Sequence, residues 1–343
     1  MRLSDRGGPH SDTLCFVEMR SVGKSGLRVS RIGLGTMTWG RDTDEHEAAE
    51  LLDLFLGAGG TLVDTADVYA DGESEKILGR LLVDSGRRDA VVIATKAVSR
   101  PTSDRRFDAS RGHLLNSLDG SLRRLGVDHV DLWQLHAWDP MTPIEETLGA
   151  VDAAVSSGKT RYVGISNYAG WQTAQVATWQ RAMPHAAVPV CSQMEYSLLQ
   201  RGVEREVIPA LRSHGMGLLA WSSLGRGVLS GKYRSGVPAD SRAGNPVFAS
   251  FVQPYLTEAA RRIADATATA AEGLGVSPAE VALAWVRDQP GVTSALVGTR
   301  TLAQLRTALA SEDLEIPDQI ARALSDVSAP AMSYPEYGWN QRA

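Results

Sequence analysis

The sequence predicts an α/β fold, a closed (β/α)8 TIM barrel of eight parallel strands ringed by helices, with an N-terminal hairpin ahead of it. Three observations predict it. Eight short apolar runs recur along the 343 residues, and successive starts lie roughly thirty residues apart, the length of a strand, a helix and two loops. A segment of helical period follows each run, which implies a parallel sheet covered by helices. No G-x-G-x-x-G follows the first run, which counts against an open nucleotide-binding sheet.

In chain order the runs are Arg31–Leu34, Thr61–Asp64, Ala90–Lys96, Val130–His136, Arg161–Ser166, Val188–Glu195, Gly217–Ser222 and Ser294–Val297. Between the third and fourth, Leu114, Leu115, Leu118, Leu122 and Leu125 fall on one helical face. Ser110 is placed to cap that helix, and Gly126 to end it. Ile144, Leu148, Val151 and Val155 repeat the pattern, and Gly158 stops it. The seventh and eighth strands are separated by a long insertion between Ser222 and Ser294. Residues 1–18 are polar and read as a disordered tail, and residues 19–343 as one barrel domain.

Composition excludes several classes. A net charge of −5 offers no basic face to nucleic acid or anionic lipid. No apolar run is long enough to span a membrane, and residues 1–18 lack the apolar core of a signal peptide. Two cysteines, Cys15 and Cys191, make no disulfide framework, which suits a reducing cytoplasm. The seven histidines form no H-x-H or H-x-x-x-H pair, so no metal is expected. Oligomeric state is left open.

In a parallel barrel, chemistry gathers where strands end and loops begin. Asp64 ends the second run, Tyr69 lies in the loop after it, Lys96 ends the third and His136 the fourth. Each alone has a bland reading: a helix cap, a packed ring, a snorkelling lysine, a structural histidine. Together they suit carbonyl reduction, in which an alkoxide must be protonated. A neighbouring ammonium is expected to lower the tyrosine's pKa from its ordinary value near 10. Lys96 can supply that charge, Asp64 can hold Lys96, and His136 can donate to the substrate oxygen.

The segments GLRVSRIGLGTMTWG, TLVDTADVYADGESEKILG, VVIATK, SLRRLGVDHVDLWQLHAWD, GKTRYVGISNY, SQMEYSLLQR and GLLAWSSLGRGVLSGKY resemble, in order, those of the aldo-keto reductase superfamily. The resemblance runs from Met19 to about Leu309 and includes the potassium-channel β subunits. It implies the tetrad Asp64, Tyr69, Lys96 and His136, with Tyr69 as general acid, acting on a small-molecule carbonyl. It also implies NADP(H) lying extended across the barrel mouth, with the long insertion helping to bind it. Ser166, Asn167 and Gln193 match the residues that hold the nicotinamide carboxamide, and Trp221 the aromatic that stacks on the ring. Ser222, Leu224, Gly225 and Gly227 match the pyrophosphate loop, where glycine lets backbone N–H groups approach phosphate. Lys232 and Arg242 match basic residues farther along, and Gly35 and Thr36 the first-loop contacts. Gly298, Thr299 and Arg300 match the 2′-phosphate site and Gln304 the adenosine contact, so the phosphorylated cofactor is expected.

Three departures stand out. Thr307-Ala308 replaces the usual Glu-Asn and removes an adenine anchor. Ser223 replaces a proline, which should loosen its loop, and Ala70 replaces the glycine that commonly follows the tyrosine. Trp39, Trp138 and the tail residues Tyr334, Tyr337 and Trp339 are candidates to line an apolar substrate pocket. The alternative to an enzyme is a cofactor-binding regulatory subunit that senses redox state.

Overall fold

Strand alternation builds the interior in layers. Successive side chains of a strand point to opposite faces, so Leu62 and Asp64, Ala94 and Lys96, and Leu132 and Gln134 share the inward face. The same step of two relates Cys191 to Gln193 and Leu219 to Trp221. Leu62, Ala94, Leu132, Cys191, Leu219 and Leu296 pack into one buried cluster, and the polar member of each pair stands one layer above it. Apolar floor and polar ceiling thus follow from the sequence period.

The computed structural model describes residues 16–331 apart from Ser235, Ala239, Asp240 and Asn245. A short antiparallel hairpin, β1 (Met19–Ser21) and β2 (Arg28–Ser30), precedes the barrel. The barrel strands are β3 (Ile32–Gly35), β4 (Leu62–Asp64), β5 (Val92–Ala97), β6 (Val130–Leu135), β7 (Thr160–Ser166), β8 (Cys191–Glu195), β9 (Gly217–Trp221) and β10 (Val292–Val297). They close in sequence order, with β10 pairing β3 in parallel. Helices α1 (Glu45–Gly57), α2 (Glu73–Ser85), α3 (Arg111–Leu125), α4 (Ile144–Ser156), α5 (Gly170–Ala182) and α6 (Val207–Ser213) follow β3 to β8 in turn. The insertion after β9 holds α7 (Pro246–Val252), α8 (Glu258–Leu274) and α9 (Pro278–Arg287), and α10 (Leu302–Ala310) and α11 (Asp318–Val327) complete the chain. No helix among the described residues is long and apolar enough to cross a membrane.

The eight runs become the eight strands. The hairpin packs Val22, Leu27 and Val29 onto the apolar floor and seals the N-terminal end of the barrel. On α3, Leu114, Leu118, Leu122 and Leu125 are buried as expected, and Gly126 ends the helix at φ +67, a backbone that glycine adopts without penalty. Ser110 is the N-cap residue, but its side chain makes no cap bond. Glu146 of α4 accepts from the Arg111 N–H instead, at 3.0 Å, so a neighbouring helix satisfies the end. Packing starts before Met19: Val17 is fully buried, its N–H donates to Ala58 O at 2.8 Å, and Glu18 pairs with Arg31. The expected tail therefore loses its last three residues to the fold. Residues 1–15 lie outside the described residues, as do Tyr334, Tyr337 and Trp339.

Candidate active site

Asp64 leaves β4 pointing inward and meets Lys96 from β5. Lys96 Nζ donates to Asp64 Oδ2 at 2.6 Å and to Thr65 O at 2.8 Å, and reaches Tyr69 OH at 3.5 Å. The ammonium is fully buried, 5.1 Å from the centre of the Tyr69 ring. Burial alone would lower the Lys96 pKa, but the charges of Asp64 and Tyr69 carry it above its ordinary value. Tyr69 goes the opposite way from expectation. Burial raises its phenol above the usual value by more than Lys96 lowers it, so the group stays protonated. The tyrosine sits on a strained turn, with Ala70 and Asp71 at φ +48 and +52. The glycine usual at position 70 is explained by this left-handed backbone, which costs a residue with a Cβ about 1–2 kcal/mol.

His136 follows β6 and faces Tyr69 edge-on, with ring centres 6.1 Å apart. Burial, then the Lys96 charge, push its imidazole down to about 3. The ring is neutral near pH 7. Its Nδ1 is buried and has no partner, which favours the tautomer that carries the proton on Nε2, since an orphaned acceptor costs less than an orphaned donor.

Two glutamines complete the surroundings of Asp64. Its Oδ1 accepts from Gln193 Nε2 at 2.7 Å and from Gln134 Nε2 at 3.3 Å, and Gln193 Nε2 also reaches Gln134 Oε1 at 3.4 Å. Gln134 was invisible as a site residue, although its place two before His136 on β6 marks it as inward-facing. Ser166 Oγ donates to Gln193 O at 2.9 Å. Asn167, at φ +58, donates from Nδ2 to His136 O and to Ser166 Oγ, and accepts from the Trp221 indole at 3.2 Å.

From this centre a cavity of about 570 Å³ runs across the mouth. It is lined by Gly35, Asp64, Tyr69, His136, Ser166, Asn167, Gln193, Trp221, Ser222, Leu224, Gly227, Lys232, Gly298, Thr299, Arg300 and Gln304. Lys96 stands behind that wall, bonded to two of its members. Thr36 and Gly225 are off it. The Thr36 hydroxyl is spent on Asp64 O and Ser74 Oγ, and Gly225 packs against Leu199. Trp39 is also off it, wholly buried in the core, and Trp138 instead stacks edge-on with Tyr168 and Trp171. The Arg242 side chain lies outside the described residues. Among the residues not foreseen, Arg226 is bonded to both oxygens of Glu195, at 2.8 and 2.6 Å. Its guanidinium lies 4.0 Å from the centre of the Phe251 ring, which is stacked on Trp221. The signal for Arg226 is its place in the loop after β9, between two glycines.

The lining fits a long anionic dinucleotide. Lys232, Arg300 and the N-terminus of α10 gather positive charge away from Tyr69. Thr299 Oγ1 is buried without a partner, and a phosphate oxygen would satisfy it. A Cβ at position 227 would come within 3.2 Å of Lys232 Nζ, so glycine there leaves the lysine its space. The loop's own geometry differs from expectation in one respect. The N–H groups of 225, 226 and 227 already donate to Ser222 O, Ser222 Oγ and Leu224 O, so recognition of an anion there would rest more on the charged side chains. Ser223 also departs from expectation, because its hydroxyl is tied to Ala220 O at 3.0 Å and helps hold the loop. Thr307 and Ala308 face the cavity and offer no carboxylate or amide there.

Residues 31–329 match the model of the aldo/keto reductase family. The chain is 38% identical to an uncharacterized oxidoreductase, YrpG, of Bacillus subtilis (strain 168), over 94% of this chain and 100% of that protein. It is 34% identical to a probable voltage-gated potassium channel subunit beta of Oryza sativa subsp. japonica, covering 93% and 98% of the two chains. A protein of the same description from Arabidopsis thaliana is 33% identical, with 87% and 92% covered.

Proposed function

Since the chain belongs to the aldo/keto reductase family, we propose that it reduces aldehydes or ketones to alcohols with NADPH, Tyr69 acting as general acid. The observation that carries this reading is the buried Asp64–Lys96–Tyr69 chain beside a neutral His136.

Bound at the lined cavity, the nicotinamide would supply the hydride. The chain's own residues do the rest. His136 Nε2–H points the substrate oxygen toward Tyr69 and donates to it as negative charge grows there. Tyr69, kept protonated by burial, gives its proton to that oxygen. The phenolate that forms meets the Lys96 ammonium, which is held by Asp64 and needs no reorganisation. Desolvation of the site strengthens that attraction. Ser166, Asn167 and Gln193 are placed to hold the carboxamide, and Trp221 to stack on the ring. Lys232, Thr299 and Arg300 are placed for the phosphates, Arg300 favouring the phosphorylated cofactor.

Tyr69→Phe is expected to cut turnover by about two orders of magnitude, the scale of lost general-acid catalysis, while NADPH still binds. Steady-state NADPH consumption and a binding titration on the same variant check both halves. Near-normal turnover would remove Tyr69 from the role.

The names of the two plant relatives favour a second reading, a cofactor-binding regulatory subunit with little turnover. Rapid mixing of the NADPH-loaded protein with a reactive aldehyde separates the two. A single burst without sustained turnover supports the subunit.

A further inference from the structure

We propose that Asp64 has a second task besides anchoring Lys96: it fixes which end of the Gln193 amide faces the cofactor cavity, and so makes the site selective for a ring substituent that donates an N–H. This inference rests on the nicotinamide reading above.

A carboxylate accepts hydrogen bonds and donates none. Asp64 Oδ2 is taken by Lys96, so Oδ1 faces the two glutamines and demands donors from both. Gln193 and Gln134 must therefore turn their nitrogens toward it, at 2.7 and 3.3 Å. Gln134 Oε1 takes a further share of the Gln193 Nε2 protons, which holds the second amide in the same sense. Gln193 is almost fully buried and lines the cavity, and the end left for a ligand is its carbonyl oxygen. A primary carboxamide can give that oxygen an N–H. An acetyl group of the same shape cannot, and would set one carbonyl against another.

The orientation is relayed, so it can be inverted. In Asp64→Asn, Lys96 still needs an acceptor and draws the new amide's oxygen to its own side. The amide nitrogen then faces Gln193, which must turn its oxygen toward residue 64 and its nitrogen toward the cavity. The site would then offer a donor, which an acetyl carbonyl satisfies.

Dissociation constants for NADP and its 3-acetylpyridine analogue, measured by calorimetry on the whole chain, test this without requiring activity. The wild type is expected to prefer the carboxamide by about ten-fold, the scale of one buried acceptor left unpaired. Asp64→Asn should lose that preference. Gln193→Met should lose the preference by removing the amide altogether, which tests the idea independently should Asp64→Asn not fold. A full preference retained in Asp64→Asn or Gln193→Met would overturn the proposal. A wild type that binds both cofactors equally would overturn it too, whereas a wild type that binds neither would instead sink the cofactor reading.

Discussion

His136 shows how one residue's surroundings decide its chemistry. A histidine with an ordinary pKa of about 6.5 would change charge inside the working range of most enzymes. Burial first and Lys96 second hold this one at about 3, while Tyr69 is pushed above its usual value. Neither group titrates near neutrality, so neither should bend kcat for carbonyl reduction between about pH 5 and 8; the neighbour that should is Asp67, whose carboxyl burial pushes up to about 7 and whose charge acts on Tyr69. A pH series at saturating substrates on the wild type and on Asp67→Asn checks this, and a limb near 6.5 that persists in Asp67→Asn would mean that His136 cycles through its cation. The sequence pointed to Asp64, Tyr69, Lys96 and His136 because all four fall at or just past strand ends, and the structure brings them together at the barrel mouth. The direction of the Tyr69 shift was not legible. It depends on how completely the phenol is desolvated, and no spacing along a chain encodes that. Trp39 was misread for a related reason, since an aromatic beside a catalytic loop can pack inward as readily as toward substrate.

Among the elements, α10 bears on the cofactor preference proposed above. Thr301 caps it, its hydroxyl accepting from the Gln304 N–H at 3.3 Å, and Gln304 Oε1 accepts from the Arg300 N–H at 2.9 Å. Gln304 is thus committed to shaping the turn that presents Arg300. Arg300→Ala is expected to weaken NADPH by roughly five- to a hundred-fold, as charge-assisted bonds at a partly exposed rim do, and to leave NADH nearly unchanged. Titrations at low and high salt check it, because the loss should shrink as salt screens the pair. Equal loss of both cofactors would make Arg300 structural. The strands and most helices were legible from period alone. The Ser110 cap and the loop at 222–227 were not, because their hydrogen bonds are settled by partners that arrive in the folded state. Glu146 from another helix serves the first, and Ser222 serves the second.

Across the whole molecule, the segment that enters the barrel and the segment after α10 are fastened together at its closed end. Buried Glu312 accepts from Arg31 Nε at 2.6 Å and from the Glu18 N–H at 3.4 Å. Arg287, also buried, donates to Glu312 O at 3.1 Å and to Leu314 O at 2.9 Å. Glu312→Ala removes one partner of Arg31, which keeps Glu18 and the carbonyl of residue 312, and is expected to cost about 1–3 kcal/mol of stability, read from urea unfolding, with turnover at low denaturant little changed. The strands were legible in the sequence, but this clasp was not, because Glu312 lies 281 residues from Arg31 and 294 from Glu18, and each looks like an ordinary surface charge.

The hairpin that covers the barrel's N-terminal end has a consequence for proton traffic. Below Asp64 and Lys96 lies the cluster of Leu62, Ala94, Leu132, Leu219 and Leu296, with Val22, Leu27 and Val29 beneath. Oily layers of that kind carry no chain of water from below. In the proposed mechanism, the proton that Tyr69 gives away would return through the same mouth by which substrate enters. Recharging the acid would thereby be tied to clearance of the mouth, and each turnover would finish emptying before the next was primed.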